Sequence, residues 1–367
     1  MPPPRALSLL LTLAALALPA EALAALSFRP ERGTLPDGAA YAALKPSSWD
    51  RRRLLLVAPA QRTATPPAEP GLDHANTLVR SLLEQGWLVA TVAARRGGIV
   101  LMDSMQDLDR LRATLAANHG PPDRVYVLGE SMGAAIAVRM MENYPDDYAG
   151  ALAIGGAFDL QEPAPTVGVT FAPRRPLLLL PNRSESYAPG EYVKACSGAA
   201  VRPVLWKIDR DGRANANAAE KLAALAALVR WVEEGVVPPP GFDGTVPPPV
   251  RASEITFSPD RTEGAGRVLS ADPLRGDLTL DFQPSDLDAL GIARGTLFAL
   301  VFTDASGAAR TTRVLYGQSP RNAKAGDWSA LPEAEGWLLL SVHRGNAAAV
   351  SGLKPGSEVL LRRLRGN

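Results

Sequence analysis

The sequence contains little of what several functional classes require. Its 367 residues include a single cysteine, Cys196, which cannot form an internal disulfide, and only three histidines. Basic residues (39) and acidic residues (38) nearly cancel, and the densest basic run is only Arg51-Arg52-Arg53, so a phosphate-binding stripe for nucleic acid is not expected. No cofactor or metal site is predicted from the sequence.

Long apolar runs are also missing beyond the N-terminus. There, Arg5 precedes the apolar stretch 6–18, and an Ala-x-Ala pattern follows at 22–24. This order is typical of a signal peptide, and the stretch is shorter than the roughly 20 residues of a membrane-spanning helix. We therefore predict a signal peptide at 1–24, an exported protein that is periplasmic or secreted, and no integral membrane segment after its removal.

The rest of the chain has two parts of different character, which its length also suggests. Apolar runs alternate with amphipathic helix patterns from residue 25 to residue 238, and a proline-rich stretch follows at 239–250. Beyond it, from 251 to 367, short β-like runs such as 296–302 and 358–361 are separated by turn residues. We predict an α/β domain, an extended semi-rigid linker and a small all-β barrel or sandwich.

The most informative motif is Gly129-Glu130-Ser131-Met132-Gly133. It follows the apolar run 124–128 and precedes a helix-like run that begins at residue 134. A G-x-S-x-G motif between a strand and a helix is typical of a nucleophile elbow, in which a sharp turn exposes the serine hydroxyl. The other interpretation, a serine in an ordinary βα turn, lacks this need for both glycines.

In this order of elements, residues 40 to 238 resemble the α/β-hydrolase superfamily. The predicted strands lie at 53–58, 87–92, 124–128, 151–154, 177–180 and 204–208, and the predicted helices at 76–83, from 103 onward, from 134 and at 222–232. Continuous apolar strands alternating with such helices predict a mainly parallel sheet with helices on both faces. The resemblance implies a serine hydrolase acting on a small-molecule ester.

The resemblance also implies how the nucleophile would be supported. The oxyanion hole would use the backbone N–H of Met132 and one from the loop near Gln61. Glu185 follows the next-to-last predicted strand, where many relatives carry the triad acid. The alternative for Glu185, a surface-loop residue paired with Arg183, remains open.

The position of the general base is where the chain departs from the superfamily. Relatives carry histidine between the last strand and the last helix, and here Arg213 occupies that position. A guanidinium stays charged at ordinary pH, so it cannot take the Ser131 proton. Arg213 could instead pair with Glu185 and hold an inactive triad together.

Each of the three histidines offers a different prospect as a substitute base. His74, beside Asp73, opens a predicted helix on the expected catalytic rim, where it is either a base or an ordinary helix-start residue. His119 precedes the elbow strand, which puts it at the opposite end of the sheet. His343 belongs to the C-terminal module and would act only if that module folded over the hydrolase site.

The C-terminal module, residues 252 to 363, resembles the C-terminal barrel of the S-adenosylmethionine hydroxide adenosyltransferase and fluorinase family. The similar stretches include 276–279, 287–292 and 335–359. Arg275 and Asp277 replace the Phe and Asn of the family's Phe-Gly-Asn segment, and the catalytic N-terminal domain is missing. The resemblance therefore implies a structural barrel without adenosyl chemistry.

Two functions follow from these residues. One is an exported serine hydrolase with impaired or altered activity, and the other is a non-catalytic descendant that serves as a binding or scaffold protein. The elbow favours the first function, and Arg213 favours the second.

Overall fold

The computed structural model describes residues 26–59, 70–95, 101–155, 168–272, 275–317 and 323–364. The predicted signal peptide at 1–24 lies outside these ranges. None of the helices in the described ranges combines the length and the apolar composition needed to span a bilayer.

The first sheet is mainly parallel. Its strands are β1 (Phe28–Thr34), β2 (Ala40–Pro46), β3 (Arg53–Val57), β4 (Leu88–Val92), β5 (Arg124–Glu130), β6 (Gly150–Ile154), β7 (Leu177–Leu180) and β8 (Val204–Leu205). They are ordered β1-β2-β4-β3-β5-β6-β7-β8, with β3 to β8 parallel and β1 and β2 antiparallel. The carboxyl ends of the parallel strands therefore share one edge of the sheet, where ligands bind in open α/β folds.

Helices cover both faces of this sheet. They are α1 (Thr77–Glu84), α2 (Leu101–His119), α3 (Met132–Asn143), α4 (Tyr187–Ala195) and α5 (Ala218–Glu234). Side chains alternate along β3: Leu54 and Leu56 pack in the cluster with α2 and α3, while Leu55 packs in the cluster with α1 and α5. Burial on both faces explains the continuous apolar strands, and the predicted fold class is confirmed.

The sequence did not reveal β1 and β2, which pair as a hairpin at the edge of the sheet. Most β1 side chains are at least partly exposed, so this strand lacks the apolar run that identified the central strands. Strand β8 is shorter than predicted, with Val204–Leu205 in the ladder and only isolated bridges at Lys207 and Ile208.

The proline-rich linker packs against the first domain. Phe242 O accepts a hydrogen bond from Lys207 N (2.9 Å), and Gly241 N donates to Leu205 O (2.8 Å). The Trp206 indole N–H donates to Pro239 O (3.0 Å), and its ring lies 4.6 Å from that of Phe242. These contacts cover the free edge of β8, so the segment serves as an edge strap as well as a connection.

The C-terminal part forms a closed barrel. Its strands are β9 (Thr256–Phe257), β10 (Glu263–Ala271), β11 (Leu278–Leu280), β12 (Leu297–Thr303), β13 (Ala309–Tyr316), β14 (Trp328–Pro332), β15 (Leu338–Val342) and β16 (Glu358–Arg363), with two short helices, α6 (Pro284–Ala289) and α7 (Ala347–Ser351). Pairing in the order β11-β15-β14-β13-β12-β16-β10 is completed by β10 with β11, which closes a seven-stranded barrel, and β9 extends from β10. The barrel has its own core around Phe282 and Phe298.

Candidate active site

Ser131 lies at a strained turn between β5 and α3. Its backbone has φ 54° and ψ −115°, in the positive-φ region that residues other than glycine rarely adopt. The turn is fastened by Ser131 N, which donates to Ile154 O at the end of β6 (3.0 Å), and by Ala134 N, which donates to Ser131 O (3.1 Å). Such strain persists only where surrounding contacts hold it, and it is common at catalytic nucleophiles.

The two glycines of the motif are required by close backbone contacts. A Cβ on Gly129 would lie 1.9 Å from Gly133 O, and a Cβ on Gly133 would lie 3.1 Å from Ala58 O. The first distance is far inside van der Waals contact, so only glycine fits at position 129 without a backbone shift.

The elbow also places the predicted oxyanion donor. Met132 is the first residue of α3, and the first N–H groups of a helix have no carbonyl partner within that helix. Ala58, at the end of β3, approaches Gly133, so the loop that follows β3 starts beside the elbow. The second predicted donor, Gln61, lies outside the described residues.

Glu185 lies at the carboxyl edge, two strands along from Ser131. Its Oε2 accepts a hydrogen bond from Ala214 N (2.7 Å), and the same oxygen would lie 3.2 Å from a Cβ on Gly155. Gly155 directly follows Ile154, the residue that accepts the Ser131 N–H. Three features therefore lie close together around the end of β6: Glu185, the loop around residue 214 and the elbow. Arg183, the alternative partner of Glu185, forms ion pairs with Asp209 and Asp211, which follow β8 in the chain.

Arg213 directly precedes Ala214, whose N–H donates to Glu185, and it faces the barrel. It is exposed and lines a cleft of about 910 Å³ between the two domains, together with Asp277, Glu333 and His343. Burial raises the pKa of Asp277, and the neighbouring charges of Arg275 and Arg213 lower it in part. Burial likewise raises the pKa of Glu333. Arg213 thus lies next to Ala214, whose N–H donates to Glu185, and within electrostatic range of the Asp277 carboxylate in the barrel.

The structure does not bring His74 to Ser131. The His74 ring lies 5.1 Å from that of Phe28, which pairs with Pro46 near the amino-terminal end of the parallel strands. Phe28 belongs to β1, four strands from β5, which is roughly 19 Å across a sheet with strands about 4.8 Å apart. The His74 side chain is 62% exposed, and its Nδ1 lies 4.0 Å from Asp73 Oδ1. These are the contacts of a surface residue at the start of a helix.

The other two histidines occupy different surroundings. His119 ends α2 at the amino-terminal edge, where its Nε2 lies 2.7 Å from Glu31 Oε2 and its ring packs edge-on against Trp49. His343 lines the interdomain cleft with Arg213, so the barrel does approach the loop that carries the base position.

The residue that holds the loop around residue 214 was not predicted from the sequence. Asn182, fully buried after β7, donates from Nδ2 to Asn215 O (2.9 Å) and accepts at Oδ1 from Asn215 N (2.6 Å). Beside Ser131, Lys221 Nζ forms an ion pair with Glu130 Oε1 at 2.7 Å. An asparagine three residues before the acid gave no motif signal, because its role depends on a loop 33 residues away.

Two sequence comparisons match part of the chain. A family model described as serine aminopeptidase, S33, matches residues 93–185, the segment that contains Ser131 and Glu185. The o-phthalyl amidase of Xanthobacter agilis is 27% identical over 135 residues, which are 35% of this chain and 27% of that protein. The chain therefore spans about a quarter of the length of this curated relative.

Two solved structures to which the chain is similar have low sequence identity. An esterase from Pyrococcus furiosus is 15% identical, with 56% of this chain and 92% of the esterase covered and a TM-score of 0.44. Oligopeptidase B from Leishmania major is 13% identical, with 57% of this chain and 37% of the peptidase covered and a TM-score of 0.43. The parallel sheet, the elbow and the matching family segment identify the region before the linker as an α/β-hydrolase fold, which a separate β-barrel follows.

Proposed function

We propose that the protein is a serine hydrolase of a small carboxylic ester, with Ser131 as its nucleophile. The observation that carries the proposal is the backbone of Ser131, which has φ 54° at the end of a central parallel strand and at the start of a helix. A protein does not keep a non-glycine residue in this region without compensating contacts, and its position matches a nucleophile elbow.

In the proposed reaction, Ser131 Oγ attacks the ester carbonyl carbon and the negative charge develops on the carbonyl oxygen. The Met132 N–H, at the start of α3, stabilises that oxygen, and Gln61 is the proposed second donor. The alcohol leaves with a proton to give an acyl-serine, which water then hydrolyses to the acid and free serine.

Arg213 makes this reaction slow in the natural chain. Glu185, which accepts the Ala214 N–H, is suited to orient and charge-stabilise an imidazole at position 213. A guanidinium cannot accept the serine proton. The proposed activity therefore rests on the elbow, the oxyanion donors and binding, which leave a residual rate when the base is missing.

The alternative is a binding or scaffold protein without catalysis. Arg213 supports it, because the residue faces a charged interdomain cleft rather than offering a proton acceptor. We also propose that the barrel shares ancestry with the adenosyltransferase C-terminal domain and has lost adenosyl chemistry, since Arg275 and Asp277 replace the family residues.

The direct test is hydrolysis of p-nitrophenyl acetate by the natural chain, Arg213→His, Ser131→Ala and the double variant. We expect Arg213→His to be faster than the natural chain by about a hundredfold, the low end of what a positioned general base contributes. Ser131→Ala in either background should abolish turnover.

Two results would change the assignment. If Arg213→His is as inert as Ser131→Ala, more than the base has been lost and the binding function gains support. If the natural chain is fast and His74→Ala abolishes its activity, His74 is the base, and a motion must bring it to Ser131 from its position beside Phe28.

Export is proposed from the N-terminal sequence alone. Expression with residues 1–24 in a bacterial host should yield a periplasmic or secreted chain that begins near Ala25 by mass spectrometry. A chain that stays in the cytoplasm with residues 1–24 attached contradicts this proposal.

A further inference from the structure

Two asparagine carboxamides connect the first sheet to the barrel through the loop at residues 211–217, which we name the base loop because it contains Arg213. The first carboxamide belongs to Asn182, which brackets the main chain of Asn215 with two hydrogen bonds of 2.6 and 2.9 Å. This contact fixes the base loop to the end of β7.

The second carboxamide belongs to Asn215 itself. Its Nδ2 donates to Pro332 O (2.9 Å) and to Asp211 O (2.9 Å), while its Oδ1 accepts from Ala334 N (2.7 Å). Pro332 ends β14, and Ala334 lies in the turn between β14 and β15. Each carboxamide directs its nitrogen to a carbonyl and its oxygen to an N–H, so neither can be flipped without losing both kinds of bond.

We propose that the barrel holds the base loop in its working position through Asn215, which makes Asn215 a positioning residue for the chemistry at Ser131. The proposal rests on the proposed function, since it concerns the loop that presents position 213 to the nucleophile.

The residue between Arg213 and Asn215 shows why the base loop needs a support on each side. Ala214 has φ 46°, a conformation disfavoured for alanine, and it is in this conformation that its N–H donates to Glu185 Oε2. Asn215 is held by Asn182 on one side and by the barrel on the other. Releasing the barrel contact allows the strained residue to relax, and the bond from Ala214 to the acid weakens with it.

Further contacts join the same turn of the barrel to this region. Asn217 Nδ2 donates to Ala334 O (3.3 Å), and Ala218 N donates to Glu335 Oε1 (3.4 Å). Arg294 of the barrel forms an ion pair with Asp211, at the other end of the base loop. The barrel thus contacts both ends of the loop and its centre.

The test uses the full chain with Asn215→Ala, Asn215→Asp and Arg251→Ala. Asn215→Ala removes the two bonds from the side chain of residue 215 to the barrel but keeps those of Asn182, which involve only the main chain of residue 215. Arg251→Ala is the matched control, because Arg251 donates to Glu335 O and lies over the Trp337 ring in the barrel but is not hydrogen bonded to the described residues of the base loop.

The first measurement is amide hydrogen exchange at Ala214. We expect exchange in Asn215→Ala to be about tenfold faster than in the natural chain, with Arg251→Ala unchanged, because local opening of the loop exposes this N–H. Asn215→Asp keeps an acceptor for Ala334 N and should fall between them. The proposal is overturned if Ala214 exchanges no faster in Asn215→Ala, or only as much faster as the amides of β5.

The second measurement is ester hydrolysis in the Arg213→His background. Asn215→Ala should lower kcat by about tenfold with little change in KM, because misplacing a catalytic group slows the chemical step. A loss confined to KM contradicts a positioning role. If Arg213→His gains no activity, the proposed function fails, and the exchange measurement still decides whether the barrel holds the base loop.

Discussion

At the scale of single residues, Ser131 and Arg213 support opposite functions for the same site. The Ser131 backbone is held in a strained turn by Ile154 O and by close glycine contacts. That strain is useful only if the Ser131 hydroxyl takes part in a reaction. In the proposed reaction, Arg213 leaves the Ser131 hydroxyl without a base, while its charge acts on Asp277 of the barrel and lowers the pKa of that carboxyl in part. The proposed site of the natural chain therefore combines a formed elbow with a triad that lacks its usual base.

Gly129→Ala tests the elbow itself. The added Cβ would lie 1.9 Å from Gly133 O, so the strand and helix must separate. We expect the free energy of unfolding to fall by about 3 kcal/mol or more, as in strongly overpacked sites. Urea denaturation of the purified variant would measure this change.

The matched control is Gly190→Ala in α4, where a Cβ would meet no atom within 4 Å. Because alanine favours a helix over glycine, this substitution should be neutral or stabilising by about 0.5–1 kcal/mol. Similar losses at both positions would show that the close contact at Gly129 is not the cause.

At the scale of elements, a pair of carboxyl groups joins the turn between β1 and β2 to α2. Asp37 of the turn acts on the pKa of Asp107, a side chain that is only 1% exposed. Arg95 Nε contacts Asp107 Oδ2 at 2.9 Å, and Arg110 pairs with Asp37. The edge hairpin is therefore tied to the sheet by a partly neutralised cluster and not by apolar packing alone.

This cluster predicts a dependence of stability on pH. Burial, together with the neighbouring carboxyl group of Asp37, raises the pKa of Asp107 to about 6. The folded chain then binds this proton more tightly than the unfolded chain, so the stabilisation is present at low pH and disappears as pH rises through about 6. From pH 5 to pH 7 the free energy of unfolding should fall by about 1 kcal/mol from this group.

Asp107→Asn removes the titration while keeping the shape of the side chain. We expect its unfolding free energy to depend less on pH than that of the natural chain between pH 5 and pH 7, whatever its absolute stability. Denaturation midpoints at pH 5, 6 and 7 would show this. Parallel pH profiles for the two chains would mean that Asp107 does not titrate in this range.

At the scale of the whole molecule, the linker and the base loop make the two domains one unit. Arg210 and Glu220 form an ion pair in the first domain. Val246 of the linker binds to this pair through its N–H, which donates to Glu220 Oε1 (2.9 Å). The Trp206 indole donates a hydrogen bond to Pro239 O, and its ring packs at a tilt against that of Phe242. The barrel therefore cannot rotate freely about a flexible connection.

Trp206→Ala should release this strap. The substitution removes a buried ring and the bond to Pro239 O, so we expect a loss of about 3–5 kcal/mol in unfolding free energy and faster chymotrypsin cleavage at Phe242. Trp206→Phe keeps a ring beside Phe242 and loses mainly the hydrogen bond, about 1 kcal/mol. Equal cleavage rates in all three chains would show that the linker is already free.

The sequence by itself determined the central strands, the covering helices and the serine elbow. These features depend on local patterns: apolar runs for strands buried on both faces, periodic apolar positions for helices, and glycines on each side of a serine. The exposed strand β1 and the polar contacts of Asn182 carry no such pattern. That part of the fold could not be predicted, because its stability comes from neighbours distant in sequence.

Only the tertiary structure decided how the site is surrounded. It placed His74 against Phe28 on an outer strand, joined Glu185 to the Ala214 N–H and brought the barrel onto Asn215. Each of these contacts joins residues far apart in the chain, and the one between Asn215 and Ala334 spans 119 positions. A hydrogen bond between distant segments depends on the path of the whole backbone, so no local pattern of residues encodes it.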